Sequence, residues 1–127
     1  WLGYMASGPN TKMYFYEAAA WLLCAVTSGA PSVQTPHPAK AVKIDGITPM
    51  EAKFGVEMGV AAAKLTRAEV NERVIRLLEK YESQIPTALE GDRYQDCYNV
   101  ITGKPNELYV RLYTEITEEL AGMGVPF

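Results

Sequence analysis

Apolar and polar positions along the chain mark out four helical stretches, one apolar nearly all round and the others with more restricted apolar faces. "TKMYFYEAAAWLLCAVTSG" follows "GPN" and predicts the first helix, with Asn10 as N-cap and Gly29 as the left-handed stop. Its all-round apolar character predicts burial on several sides, more than a small helical domain supplies. "TPME" at 48–51 reads as a capping box: Thr48 accepts from the backbone at Glu51, Glu51 reaches back, and Pro49 suits the first helical position. In the helix that follows, Gly55, Gly59 and Ala63 recur every four residues. Gly inside a helix costs up to about 1 kcal/mol relative to Ala, which predicts another backbone packed close by. A second box, "TRAE" at 66–69, opens a helix with Val70, Val74, Leu77, Leu78 and Tyr81 on one stripe and charged residues opposite. Pro105 opens the last helix, whose expected stripe is Leu108, Tyr109, Leu112, Ile116 and Leu120 and whose stop is Gly122 or Gly124.

The connections read differently. In "APSVQTPHPAKAVKIDGI", "SVQT" predicts a short strand and "AKAVKI" a second strand or an extended loop, while Pro36 and Pro38 exclude a long central strand. "SQIPTALEGDRYQDCYNVITGK" is irregular, broken by Pro86 and Gly91. The pattern predicts a mostly α-helical single segment, 1–127, with one or two short strands and no internal repeat.

Composition narrows the function classes. A chain of 127 residues with 48% hydrophobic and 21% charged residues suits one globular core. Its 12 basic and 15 acidic residues are well mixed and leave a formal charge of −3, without the basic stripe that a nucleic-acid partner requires. The most apolar stretch carries Glu17 and is too short to span a bilayer. Two distant cysteines give neither a disulfide framework nor CxxC metal spacing, which favours a reducing cytoplasm; Cys24 is expected buried as a small hydrophobe. The chain opens on Trp1 without an initiator Met, the mark of processing or of the back part of a longer protein.

Local chemistry is sparse. His37, in "TPHP", is the one histidine and has no triad or metal partner nearby in sequence. Its prolines would suit a rigid strand end, but an exposed loop residue is the favoured reading. Cys97, in "RYQDCYNV", has Asp92 and Asp96 close by, which raise a thiol's pKa, so a packed cysteine is favoured over a nucleophile. Glu17 demands a partner, and an ion pair with Lys12 or with another chain is favoured over catalysis. "MYFYEAAAW" reads as core or interface rather than a ligand box. Gly55 and Gly59 form no dinucleotide fingerprint, and no metal site is expected.

From about Gly8 onward the chain resembles the C-terminal part of the monomethylamine:corrinoid methyltransferases. The residues that carry the resemblance are "GP" at 8–9, "EA" at 17–18, "SG" at 28–29 and "TPMEAK" at 48–53, similar to the family's T-G-M-E-A-R. "YQDCYNV" at 94–100 is similar to the family's F-Q-E-C-Y-D-V, and Pro105, Tyr109 and a terminal M-G-x-x-F follow in order. The resemblance implies an α/β fold, the C-terminal portion of a TIM (β/α) barrel, in a cytoplasmic homo-oligomer. It implies methyl transfer from monomethylamine, or a related methylated amine, to the cobalt of a corrinoid on a separate small protein. Pyrrolysine, which archaeal members carry, and the family's catalytic carboxylate would both lie upstream of Trp1. At the strand end before Gly8 the family carries a Gln and, two residues later, a Tyr facing the pocket. Tyr4 matches the Tyr, whereas Leu2 stands in place of the Gln. A competing expectation is a non-catalytic helical scaffold whose first two helices mediate oligomerisation.

Overall fold

The computed structural model describes residues 1–127 in full. Five α-helices occur in order: α1 (Lys12–Thr27), α2 (Pro49–Ala62), α3 (Arg67–Tyr81), the single turn α4 (Tyr94–Cys97) and α5 (Glu107–Gly122). Helix α1 is the hub, packing along α3 and α2 and touching α5. That explains its apolar circumference: Tyr14, Phe15, Ala18, Ala19, Leu22 and Leu23 are all fully buried. The centre of the core is aromatic. Phe15 meets Phe54 of α2 edge-on at 5.0 Å and Tyr113 of α5 at 6.1 Å, arrangements that stabilise beyond area burial by about 0.5–1.5 kcal/mol each.

Both capping boxes form as expected, at Thr48/Glu51 and Thr66/Glu69. The first helix begins one residue later than expected. Thr11, not Asn10, caps it, accepting from the Tyr14 N–H. Asn10 instead takes a left-handed conformation (φ 59°) and donates its side-chain amide to Asp92. Gly29 (φ 83°) stops the helix as expected. The last helix is capped by Asn106, so its buried stripe runs Tyr109, Tyr113, Ile116, Leu120. Leu108, expected inside, is 69% exposed, because the i, i+4, i+7 series counted from Tyr109 selects Tyr113 and leaves residue 108 on the far side.

The expected strands do not form. Residues 1–7 and 33–37 run extended and parallel, but the only regular pairing between them is the bridge Tyr4–His37. Pro36 and Pro38 flank that bridge and lack the N–H groups that would extend it. Nor is "AKAVKI" extended: Ala39, Lys40 and Ala41 take φ of 46°, 57° and 61°, left-handed values that turn the chain sharply away. Three such non-glycine residues in a row carry backbone strain of the kind that clusters at functional sites.

The α2 glycines divide. A Cβ on Gly55 would sit in ordinary contact with Pro36 and Thr35, whereas Gly59 faces open space. The expected close backbone is therefore the 33–36 segment, at one glycine only. Gly8 is more constrained: a Cβ there would lie 1.6 Å from the Glu90 carbonyl oxygen. The Gly8 N–H donates to Leu89 and the Asp92 N–H to Pro9, locking the end of the first extended segment onto loop 89–92.

Candidate functional site

Alternation along residues 2–7 sorts the side chains into two faces. Gly3, Met5 and Ser7 are buried toward the helices, and Trp21 of α1 closes over Gly3 so tightly that a Cβ would lie 2.7 Å from its ring. Leu2 and Tyr4 point the other way and are about half exposed, 49% and 57%. This outward face ends at a tight main-chain knot. His37 donates its N–H to Gly3 (2.7 Å) and accepts from Met5 (2.9 Å), while Ala39 donates to Ser7 and Lys40 to Met5.

Two buried side chains of α1 hold the knot from behind. The Tyr14 hydroxyl donates to the Pro36 carbonyl at 2.8 Å. Glu17 accepts from the Ala6 N–H (2.6 Å), the Ser7 N–H (3.0 Å) and the Ser7 hydroxyl. The ion pair expected for Glu17 is therefore absent; Lys12 pairs with Glu115 instead. Three donors, two of them main-chain, satisfy the carboxylate in place of a cation, which makes Glu17 a structural clamp on the turn beneath Tyr4.

His37 is not the exposed loop residue expected. It is half-buried, and its ring stacks on Tyr4 with centroids 5.7 Å apart and planes 23° apart. The "PHP" context held the signal, since prolines on both sides fix the backbone of a residue whose own N–H and C=O are paired. Beyond His37 lies an open cleft of about 700 Å³, bordered by Lys43, Asp45, Tyr94 and Gln95. Its floor is braced by the Tyr94 N–H on the Asp45 carbonyl (2.7 Å).

Neither cysteine offers a nucleophile. Cys97 is fully buried, and burial, followed by the charges of Asp92, Glu51 and Asp96, pushes its thiol up to about 12. Cys24, expected inside, is exposed on an open apolar patch with Tyr4, Trp21, Leu78 and Ile85, where α1, α3 and the first extended segment meet. A further carboxyl that motif reading placed only as a cap is Glu51. It is wholly buried, takes the Thr48 N–H and the Tyr109 hydroxyl, and is raised to about 7 by desolvation. No helix is long and apolar enough to cross a membrane.

The site is thus a wall, with an exposed phenol on a rigid backing, and no acid–base or nucleophile set completes it. The family model described as monomethylamine methyltransferase MtmB matches residues 2–125. The chain belongs to the monomethylamine methyltransferase family. Among curated monomethylamine methyltransferases, MtmB of Methanosarcina mazei is 34% identical over 124 residues and MtmB2 of Methanosarcina acetivorans 32%. Each match takes in 98% of this chain and 27% of the relative, so the chain spans about a quarter of the length of the monomethylamine methyltransferases it matches. The crystal structure of the Methanosarcina barkeri monomethylamine methyltransferase superposes with a TM-score of 0.93 at 33% identity, and that of a hydroxylamine complex of MtmB does equally well.

Proposed function

We propose that this chain is the C-terminal part of a TIM-barrel methyltransferase that moves the methyl group of monomethylamine, or of a related methylated amine, to the cobalt of a corrinoid on a separate protein. The observation that carries the reading is the continuous family match over 2–125 together with Tyr4, which stands exposed on a backing fixed by Glu17 and Tyr14. The hydroxyls of Tyr14, Tyr16, Tyr109 and Tyr113 all donate to protein acceptors. The Tyr4 hydroxyl, like those of Tyr81 and Tyr94, makes no hydrogen bond within the protein, and of these three Tyr4 is the most exposed.

In this reading Tyr4 orients the amine by a hydrogen bond to its nitrogen, and Leu2 supplies an apolar neighbour where the family carries a Gln. Holding the reacting nitrogen in place is the main service the protein renders in such a transfer. The residue that holds the amine covalently in archaeal members, pyrrolysine, would lie upstream, as would the catalytic carboxylate. The residues here do not form a cradle for a resident corrinoid. The largest cleft is open, and no buried side-chain polar atom is left without a partner to receive a cofactor group. In this reading the methyl acceptor would be a corrinoid that the partner protein brings, which would supply a nucleophilic Co(I), and the segment alone is expected to be inactive.

The reading includes a cytoplasmic homo-oligomer, for which the exposed Val56 and Val60 beside Gly59 on α2 offer an apolar face. Incubating the full-length protein with reduced corrinoid protein and mono-, di- or trimethylamine tests the proposal through the appearance of methylcorrinoid absorbance. Transfer from at least one amine is expected; none from any of them would overturn it.

A further inference from the structure

We propose that His37 is a positioning residue for Tyr4: its imidazole, locked by the main chain, sets the direction in which the Tyr4 phenol meets the substrate. The proposal rests on the reading of Tyr4 as a pocket wall and adds a residue to it.

An exposed tyrosine with a free hydroxyl has no reason to keep one orientation. Rotation about its side-chain torsions swings the oxygen by several ångströms, whereas a substrate-orienting group has to be held within about 0.5 Å. Tyr4 also borders the open apolar patch of Met5, Trp21 and Cys24, but more than half of its surface is exposed there and the patch offers its hydroxyl no hydrogen bond. The ring contact is with His37, at 5.7 Å between centroids and 23° between planes. The two residues face each other across the parallel bridge, so their side chains leave the same face side by side.

His37 is unusually well anchored for a residue at the rim of a cleft. Its N–H and C=O are both engaged, on the two residues that flank Tyr4. The carbonyl before it is held by the buried Tyr14 hydroxyl, and the residues on either side are proline, with φ fixed near −65°. Directly after it, the left-handed run Ala39–Ala41 carries the chain away and is stitched back to Met5 and Ser7. Strain of this kind persists where surrounding structure over-determines it. Here its effect is to end the extended segment at His37 and leave the imidazole on the Tyr4 ring.

The test is a double-mutant cycle in the full-length protein, read as methyl-transfer rate, together with the order of the Tyr4 side chain by crystallography. His37→Ala is expected to slow transfer about tenfold, within the loss that misplacement of a reacting group by about an ångström produces. In a Tyr4→Phe background the same change is expected to cost less than about twofold, since the hydroxyl that His37 aims is already gone. His37→Phe, which keeps a stacking ring, is expected to restore most of the rate. A structural role would instead lower the rate equally in both backgrounds, with no rescue by Phe, and that result overturns the proposal. The crystallographic arm stands apart from activity. Tyr4 is expected to lose its single orientation in His37→Ala, and an unchanged, well-ordered Tyr4 there overturns the proposal whatever the enzyme does. Failure of the wild-type protein to transfer methyl groups bears on the proposed function alone.

Discussion

Glu51 sits at the N-terminus of α2 with no exposed surface, and Glu51→Gln gives a stability test with a defined sign. Desolvation raises its carboxyl from the ordinary 4.5 to about 7, against the lowering effect of the Thr48 hydrogen bonds. The folded state therefore holds a proton that the unfolded chain releases above its own, lower pKa. Stability from this group is full below pH 4.5, falls as pH rises, and levels off above about 7. The gap between 4.5 and about 7, at about 1.4 kcal/mol per pH unit, amounts to about 3 kcal/mol. Glu51→Gln keeps the size and an acceptor for Thr48 but does not titrate. Urea unfolding of both proteins at half-unit steps from pH 4.5 to 8 isolates this one group, because other titrations cancel in the difference. The wild type is expected to lose about 3 kcal/mol relative to the variant across that window. Parallel curves would show that the Tyr109 hydroxyl and the Thr48 N–H stabilise the carboxylate enough to offset burial, and the reasoning would fail.

Other perturbations follow from the same contacts. Gly8→Ala puts a methyl into the Glu90 carbonyl and is expected to cost about 3 kcal/mol, the upper end for overpacking, measurable as a lowered melting temperature. Glu17→Ala leaves two main-chain N–H groups and a hydroxyl without their acceptor; at about 1–3 kcal/mol for each unsatisfied group, it is expected to destabilise more than Gly8→Ala in urea melts. Cys97 is expected to resist iodoacetamide at pH 8 in the native protein and to react after unfolding, by mass spectrometry; native labelling of Cys97 would refute its packing. Cys97→Ser is expected to retain methyl transfer.

The helices were legible because their signals are local. Capping boxes at Thr48 and Thr66, the stop at Gly29 and the α3 stripe depend on residues a few positions apart, and all of them stand in the structure. Relations between distant segments are not legible, and one of them, the Asn10–Asp92 bond, decides even the choice of Thr11 over Asn10 as cap. The sequence calls for a cation beside Glu17, since nothing in it shows that residues 6 and 7 turn their N–H groups toward the carboxylate. The hydropathy of their neighbours predicts burial for Cys24 and Leu108, whereas exposure depends on what packs against α1 and α5. The turn at Ala39–Ala41 had no glycine to announce it, because the bonds to Met5 and Ser7 sustain left-handed alanines. As for the site, Tyr4 was reached through family resemblance alone, and the stacking of His37 on it required the parallel pairing of segments about thirty residues apart.

The proposed function places Tyr4 against the amine in a corrinoid-dependent methyltransferase. Its most direct measurement is the rate of methyl transfer from monomethylamine to reduced corrinoid protein by the full-length protein and by its Tyr4→Phe variant, with folding of the variant checked by its melting temperature. Loss of one substrate hydrogen bond predicts a fall of about tenfold at an unchanged melting temperature, since the Tyr4 hydroxyl makes no bond within the protein. An equal rate in the two proteins would contradict the account.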